Sequence, residues 1–162
     1  MKIDVIIPAR LNSTRLPKKV ILDLDGKPVV QHVFEQAKKA LSIQEVWIAT
    51  DSREVRNVCE HFTENIIMTR QDHSSGTDRI AEAAPKTKAE GIINVQGDEP
   101  FIQPQIIDKL ARSLEFDAHH MVTAAGRIKN AKDFHNPNVV KVVVNHNHEA
   151  LYFSRASIPY DR

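Results

Sequence analysis

Cysteine is almost missing. Cys59 is the single one in 162 residues, which excludes an intramolecular disulfide and fits a reducing compartment. It recurs with Val55, Val58 and Phe62 at helical spacing, which favours a small core residue over a nucleophile. An excess of either charge is missing too: 22 Lys and Arg face 21 Asp and Glu, a formal net charge of +1. Bulk electrostatics therefore gives no support to a nucleic-acid or membrane-surface protein, and no such partner is expected. No apolar run approaches a membrane span, and the N-terminal MKIDVIIPAR meets Pro8 and Arg10 too early for a signal peptide. The cytoplasm is the expected location. Neither GxxxxGK[ST] nor GxGxxG occurs. A zinc site is not expected: His119 and His120 are neighbours that diverge in a strand, His146 and His148 fall in an expected exposed turn, and no cysteine lies nearby.

What is present is an ordinary globular composition, 41% hydrophobic and 27% charged, in a length that predicts one domain over 1–162. Strand-like and helix-like segments alternate. Ile3–Ile7 reads as a buried strand, followed by a long polar loop to Gly26. A helix follows from Val29 to Leu41, then a strand at Glu45–Thr50. Asp51 is expected to start the next helix, with Glu54 closing a capping box. A strand at Asn65–Thr69 leads to the loop RQDHSSG and a helix from about Thr77, which Pro85 is expected to end. Ile92–Gln96 is the next strand, and Pro104 suits the first turn of a helix buried through Ile106, Ile107, Leu110 and Leu114. Strands are expected at Met121–Ala125, Val139–Val144 and Ala150–Ser154, the last two joined as a hairpin by Asn145–His148. The alternation implies a parallel sheet covered on both faces, made mixed by the hairpin.

Ligands of such sheets bind at the carboxyl ends of the strands, which selects the loops Ala9–Gly26, Asp51, Arg70–Gly76 and Gly97–Gln103. The first, PARLNSTRLPKK, gathers Arg10, Arg15, Lys18 and Lys19 within ten residues. Directly after a buried first strand, these charges and the backbone N–H groups of residues 11–14 read as a grip for the triphosphate of a nucleotide rather than a solvated basic loop. The fourth loop places Asp98 and Glu99 just past a buried strand, with Gly97 permitting close backbone approach. A carboxylate there suits Mg²⁺, which takes one or two carboxylates together with substrate phosphates; the alternative is a turn acid. The third loop, with its hydroxyls and His73, either hydrogen-bonds a base or ribose or caps the next helix through Ser75 or Thr77.

Seven segments in order, IIPARLNSTRLPKK, LDGKPVVQHV, IATDSREV, MTRQDHSSGTDRIAE, IINVQGDEPFI, NPNVVKVV and EALYFSRASIPYDR, make the chain from Ile6 to Arg162 resemble the 3-deoxy-manno-octulosonate cytidylyltransferase (CMP-Kdo synthetase) family. The resemblance implies a three-layer αβα nucleotidyltransferase, Rossmann-like and of the nucleotide-diphospho-sugar transferase type, with a mixed, mainly parallel sheet. It implies transfer of CMP from CTP to the anomeric hydroxyl of 3-deoxy-D-manno-octulosonate (Kdo), giving CMP-Kdo and diphosphate for lipopolysaccharide assembly. By the same resemblance Arg10 and Lys19 hold the triphosphate, Asp98 binds Mg²⁺, and Ala9, His73, Ser75 and Gly76 lie by the cytidine. Arg15, Gln96, Arg155 and Arg162 are then candidates for the sugar acid, since arginines suit a planar carboxylate. Lys18 stands where the family more often has a small residue.

The family is homodimeric and its members continue past the position of Arg162, into a part that carries another metal-binding Asp, more of the sugar pocket and much of the dimer contact. This leaves three readings of function. The first is the Kdo enzyme, the second a cytidylyltransferase for another sugar acid such as a sialic acid, the third a nucleotide-binding fragment with impaired catalysis.

Overall fold

The strand β1 (Ile3–Pro8) is buried along its whole length and carries the architecture. In the computed structural model, which describes residues 1–11, 16–116 and 121–160, it is flanked on both sides by parallel strands. After it come a short 3₁₀ turn (Lys19–Ile21) and a small ribbon of β2 (Asp23–Leu24) and β3 (Lys27–Pro28). There follow α1 (Val29–Ala37), β4 (Val46–Thr50), α2 (Arg53–Cys59), β5 (Ile66–Met68), α3 (Gly76–Thr87), β6 (Gly91–Asn94) and α4 (Pro104–Phe116). The main sheet has four strands in the order β5-β4-β1-β6, all parallel.

Period-two alternation decides which residue meets which helix layer. Ile3, Val5 and Ile7 join Val46, Ile48 and Ile93 on the face covered by α1, α2 and α4, through Val30, Val33, Phe34, Val55, Ile107 and Ala111. Ile6 and Ala49 face the other way, onto Ile80 and Ala83 of α3. The three-layer αβα arrangement follows. Cys59 is buried in the first cluster, and burial pushes its thiol up to about 12, so it is packing and not a nucleophile at neutral pH.

Three local expectations change. The helix does not end at Pro85. It runs on to Thr87, because a proline so near the end removes one backbone bond while Thr87 Oγ1 donates to the Ala84 carbonyl at 2.9 Å. Asp51 does not cap α2; Ser52 does, its hydroxyl accepting from the Val55 N–H at 3.3 Å, and Glu54 is turned elsewhere. Met121–Ala125 is not a strand, since no described strand pairs with it.

The chain divides into two compact units, Met1–Val122 and Thr123–Arg162. The second holds α5 (Ala131–His135) and the antiparallel pair β7 (Lys141–Val144) and β8 (Ala150–Ser154). That hairpin forms a two-stranded sheet of its own, so among the described residues the main sheet is wholly parallel and the expected mixing is not seen. Its turn is fastened by Asn145, whose side-chain oxygen accepts from the N–H groups of Asn147 and Glu149, each at 2.9 Å. Lys141, paired with Ser154 at the open end of the hairpin, is buried, with Nζ donating to the carbonyls of Asn136, Val139 and Arg155 at 2.7, 3.0 and 3.0 Å. No helix among the described residues is long and apolar enough to cross a membrane.

Candidate nucleotide site

Because the four strands are parallel, their carboxyl ends share one edge, and Pro8 stands at its centre. A Cβ at Gly97 would lie 2.8 Å from the Pro8 carbonyl oxygen, inside any tolerable contact, so only glycine lets the loop after β6 approach β1. On the other side a Cβ at Gly76 would meet the Pro8 ring at 3.2 Å and the Gln96 side-chain oxygen at 3.6 Å. The start of α3, the end of β1 and the loop Gln96–Asp98 are therefore in contact, as their selection from the sequence required.

The basic loop reaches the acidic one. Lys19 Nζ lies 2.8 Å from Asp98 Oδ2, with both side chains about half exposed. Lys18 adopts a left-handed backbone (φ 58) with its N–H on the Leu11 carbonyl at 3.1 Å, which closes the loop. Its ammonium is bound to both oxygens of Glu54, at 2.7 and 3.0 Å, so this lysine is occupied at α2 rather than aimed at the cleft. Arg10 is exposed and has no side-chain partner among the described residues. Ala9 is fully buried and its N–H donates to the Ala49 carbonyl at 2.8 Å, which leaves only its own carbonyl for a ligand. Arg15 lies outside the described residues.

At the third loop the capping alternative is realised. Ser75 is the N-cap of α3 in a reciprocal box with Asp78: its hydroxyl accepts from the Asp78 N–H at 3.1 Å, and its own N–H donates to Asp78 Oδ2 at 3.1 Å. The hydroxyls of Ser75 and Ser74 hold the Asp78 carboxyl below its usual range. His73 turns its Nε2 to the Glu82 carboxylate. Gln96 donates to the Asn94 side chain at 2.8 Å. Behind these, the buried guanidinium of Arg79 ties two strand ends together, bonding Thr69 Oγ1 and the Arg70 carbonyl (3.2 Å) after β5 and Asp51 Oδ2 (3.0 Å) after β4.

Sequence reasoning singled out Asp51 as a helix start and as one of the four edge loops, named Glu54 only as its capping partner, and did not find Arg79 or Glu82. Arg79 and Glu82 stand three apart on α3, one helical face, and that spacing was the available signal. Of the remaining candidates, Arg155 belongs to the second unit, where its guanidinium donates to the Pro137 carbonyl at 3.0 Å, and Arg162 lies outside the described residues. Among the described residues no three His, Cys, Asp or Glu side chains cluster as a protein-only metal cage.

Comparison with known proteins places this edge in context. A family model described as "Cytidylyltransferase" matches residues 5–162. The 3-deoxy-manno-octulosonate cytidylyltransferase of Francisella philomiragia is 49% identical, over 100% of this chain and 66% of its own length. The one from Escherichia coli is 45% identical, over 99% of this chain and 65% of its own. The chain thus spans slightly less than two thirds of the length of these curated relatives. Among solved structures, CMP:2-keto-3-deoxy-manno-octonic acid synthetase complexed with CTP matches with a TM-score of 0.88 at 43% identity, covering 100% of this chain and 67% of that one. A cytidylyltransferase from Leptospira borgpetersenii, at 22% identity and a TM-score of 0.62, shares the fold over 73% of this chain and 50% of its own.

Proposed function

We propose, from the premise that this chain belongs to the cytidylyltransferase family, that the protein transfers CMP from CTP to the anomeric hydroxyl of Kdo and releases diphosphate. The observation that carries the reading is the Lys19–Asp98 pair, 2.8 Å across the sheet edge, which sets a phosphate-type cation beside a metal-type carboxylate. The name of the curated relatives and the likeness to a CTP-bound synthetase support CTP and Kdo as the substrates.

Arg10 and Lys19 hold the triphosphate, Lys19 exchanging its contact with Asp98 for one with phosphate. Asp98 fits Mg²⁺: its Oδ1 has no partner among the described residues, and an accessible single carboxylate suits an ion that takes its other ligands from phosphates and water. Bound there, Mg²⁺ supplies neutralisation of charge on the phosphoryl oxygens. The sugar hydroxyl oxygen bonds to the α-phosphorus as the bond from that phosphorus to the bridging oxygen breaks. Diphosphate leaves with the electron pair, and the hydroxyl proton passes to solvent. No side chain becomes covalently attached. His73, Ser75, Gly76 and the Ala9 carbonyl lie by the cytidine, and Gln96 by the sugar acid. A homodimer, a cytoplasmic location and service to lipopolysaccharide assembly belong to the same proposal and rest on the family likeness.

Titration calorimetry tests the site. Asp98→Ala should weaken Mg²⁺-dependent CTP binding by roughly tenfold or more, about 1.4 kcal/mol, and unchanged binding removes Asp98 from its role. Diphosphate release with a panel of sugar acids tests the acceptor: release with a sialic acid alone overturns Kdo.

A further inference from the structure

Arg10 and Lys19, the two cations assigned to the triphosphate, are the outer neighbours of Leu11 and Lys18, and those two inner residues are joined. The Lys18 N–H donates to the Leu11 carbonyl at 3.1 Å, which draws the two arms of the basic loop together. Beyond Lys18 the chain is anchored: the Ile21 N–H donates to the Lys18 carbonyl at 3.0 Å, and Val20 is buried in the core. The closing bond comes with strain. Lys18 makes it at φ 58 and ψ 20, a left-handed backbone that crowds any Cβ and that glycine adopts freely. Such a conformation persists where the surroundings hold it. Here the hold comes from the side chain, since Lys18 Nζ contacts both oxygens of Glu54, at 2.7 and 3.0 Å, across 36 residues of sequence. Glu54 stands in the first turn of α2, which is seated on the core through Val55 and Cys59, so the ammonium is tied to a fixed post.

We propose that Lys18 is a positioning residue: its ion pair with Glu54 holds the left-handed turn that closes the basic loop, and so sets Arg10 and Lys19 at the spacing that grips a triphosphate. This rests on the nucleotide reading above and adds to it the contact that shapes the grip. Lys18 acts through its neighbours, without touching the phosphates.

Charge reversal on the full chain tests this, with calorimetry of inorganic triphosphate in Mg²⁺ as the readout. Both side chains are about half exposed, so reversing them leaves the core untouched. Lys18→Glu and Glu54→Lys should each weaken triphosphate about threefold, the modest scale of an exposed ion pair, and the two together should restore most of the native affinity. A lysine acting through its own charge on the phosphates gives a different pattern, because Glu54→Lys adds positive charge near the loop and strengthens binding. Strengthening or no change with Glu54→Lys overturns the inference, and so does a double variant no better than Lys18→Glu. The backbone is read separately. Lys18→Gly, free to adopt the turn, should keep more affinity than Lys18→Ala, which meets the same strain without the ion pair; equal losses overturn the role of the turn. A native chain that binds CTP while Glu54→Lys binds triphosphate undiminished removes the latch and leaves the CTP reading standing. Failure of the native chain to bind CTP overturns both.

Discussion

The strands IDVIIP and KVVV are both short and rich in β-branched residues, yet they meet opposite fates. The first is β1, buried at all six positions between two helix layers. The second is β7, where Val143 and Val144 stay 40% and 46% exposed and, across the hairpin, Leu151, Tyr152 and Phe153 are 64%, 60% and 53% exposed. An open cleft of about 770 Å³ lies in the second unit among Ile128, Phe134, Val142, Phe153 and Ile158. Burial is therefore set by what covers a strand, not by the strand's composition. β1 acquires α3 on one face and three helices on the other; among the described residues of its own unit, the outer side of the hairpin acquires nothing.

This contrast can be broken most sharply in the core. Ile7→Ala should destabilise the first unit by about 2–5 kcal/mol, whereas Phe153→Ala on the open hairpin should stay within about 0.5 kcal/mol, both by urea unfolding. Comparable losses at the two sites would show that something covers the hairpin in solution. Next in size is Lys141, the one described polar residue that anchors the second unit from within. Lys141→Met leaves three carbonyls without their donor and should cost about 1–3 kcal/mol. Hydrogen exchange should place that loss in residues 123–160 and leave α1 and α3 protected; uniform loss would mean the two units unfold together.

The smallest effect is acid sensitivity. The carboxyls of Glu35, Asp78 and Glu82, all in the first unit, lie below their usual values. Glu35 is lowered by its hydrogen bond with Lys27, Asp78 by those with Ser75 and Ser74, and Glu82 by that with His73. A lowered folded value means the contribution is complete above the unfolded pKa and disappears as pH falls through the folded one. Helix protection in α3 should therefore decline modestly between about pH 5 and 3. Replacing Asp78 with Asn should flatten the part of that decline due to the cap, as amide exchange at Asp78 and Arg79 would reveal.

The fold was legible where local periodicity and partner-independent rules suffice. The alternating strands, the helix from Val29 and the position of the ligand edge all emerge from spacing, because each strand end feeds a polar loop. What was not legible depends on partners distant in sequence. Glu54 three residues after Asp51 satisfies a capping rule, yet it answers to Lys18, 36 residues earlier. Asp51 answers to Arg79, 28 residues later. Met121–Ala125 has a strand's composition, but a strand needs a neighbour. At the site, Lys19 with Asp98 could be anticipated because both follow strands of one sheet. The capture of Lys18 by Glu54 and of His73 by Glu82 could not.

Pro8 limits how this cleft can be re-engineered. With glycine obligatory against its carbonyl and tightly fitted against its ring, the spacing of the two loops is set by this one residue. Graded side-chain exchange at residues 76 or 97 cannot widen the floor between them. A library aimed at reshaping this cleft should hold residues 8, 76 and 97 constant and vary the length of the segment between Thr69 and Ser75, where an insertion can move the rim without disturbing the sheet.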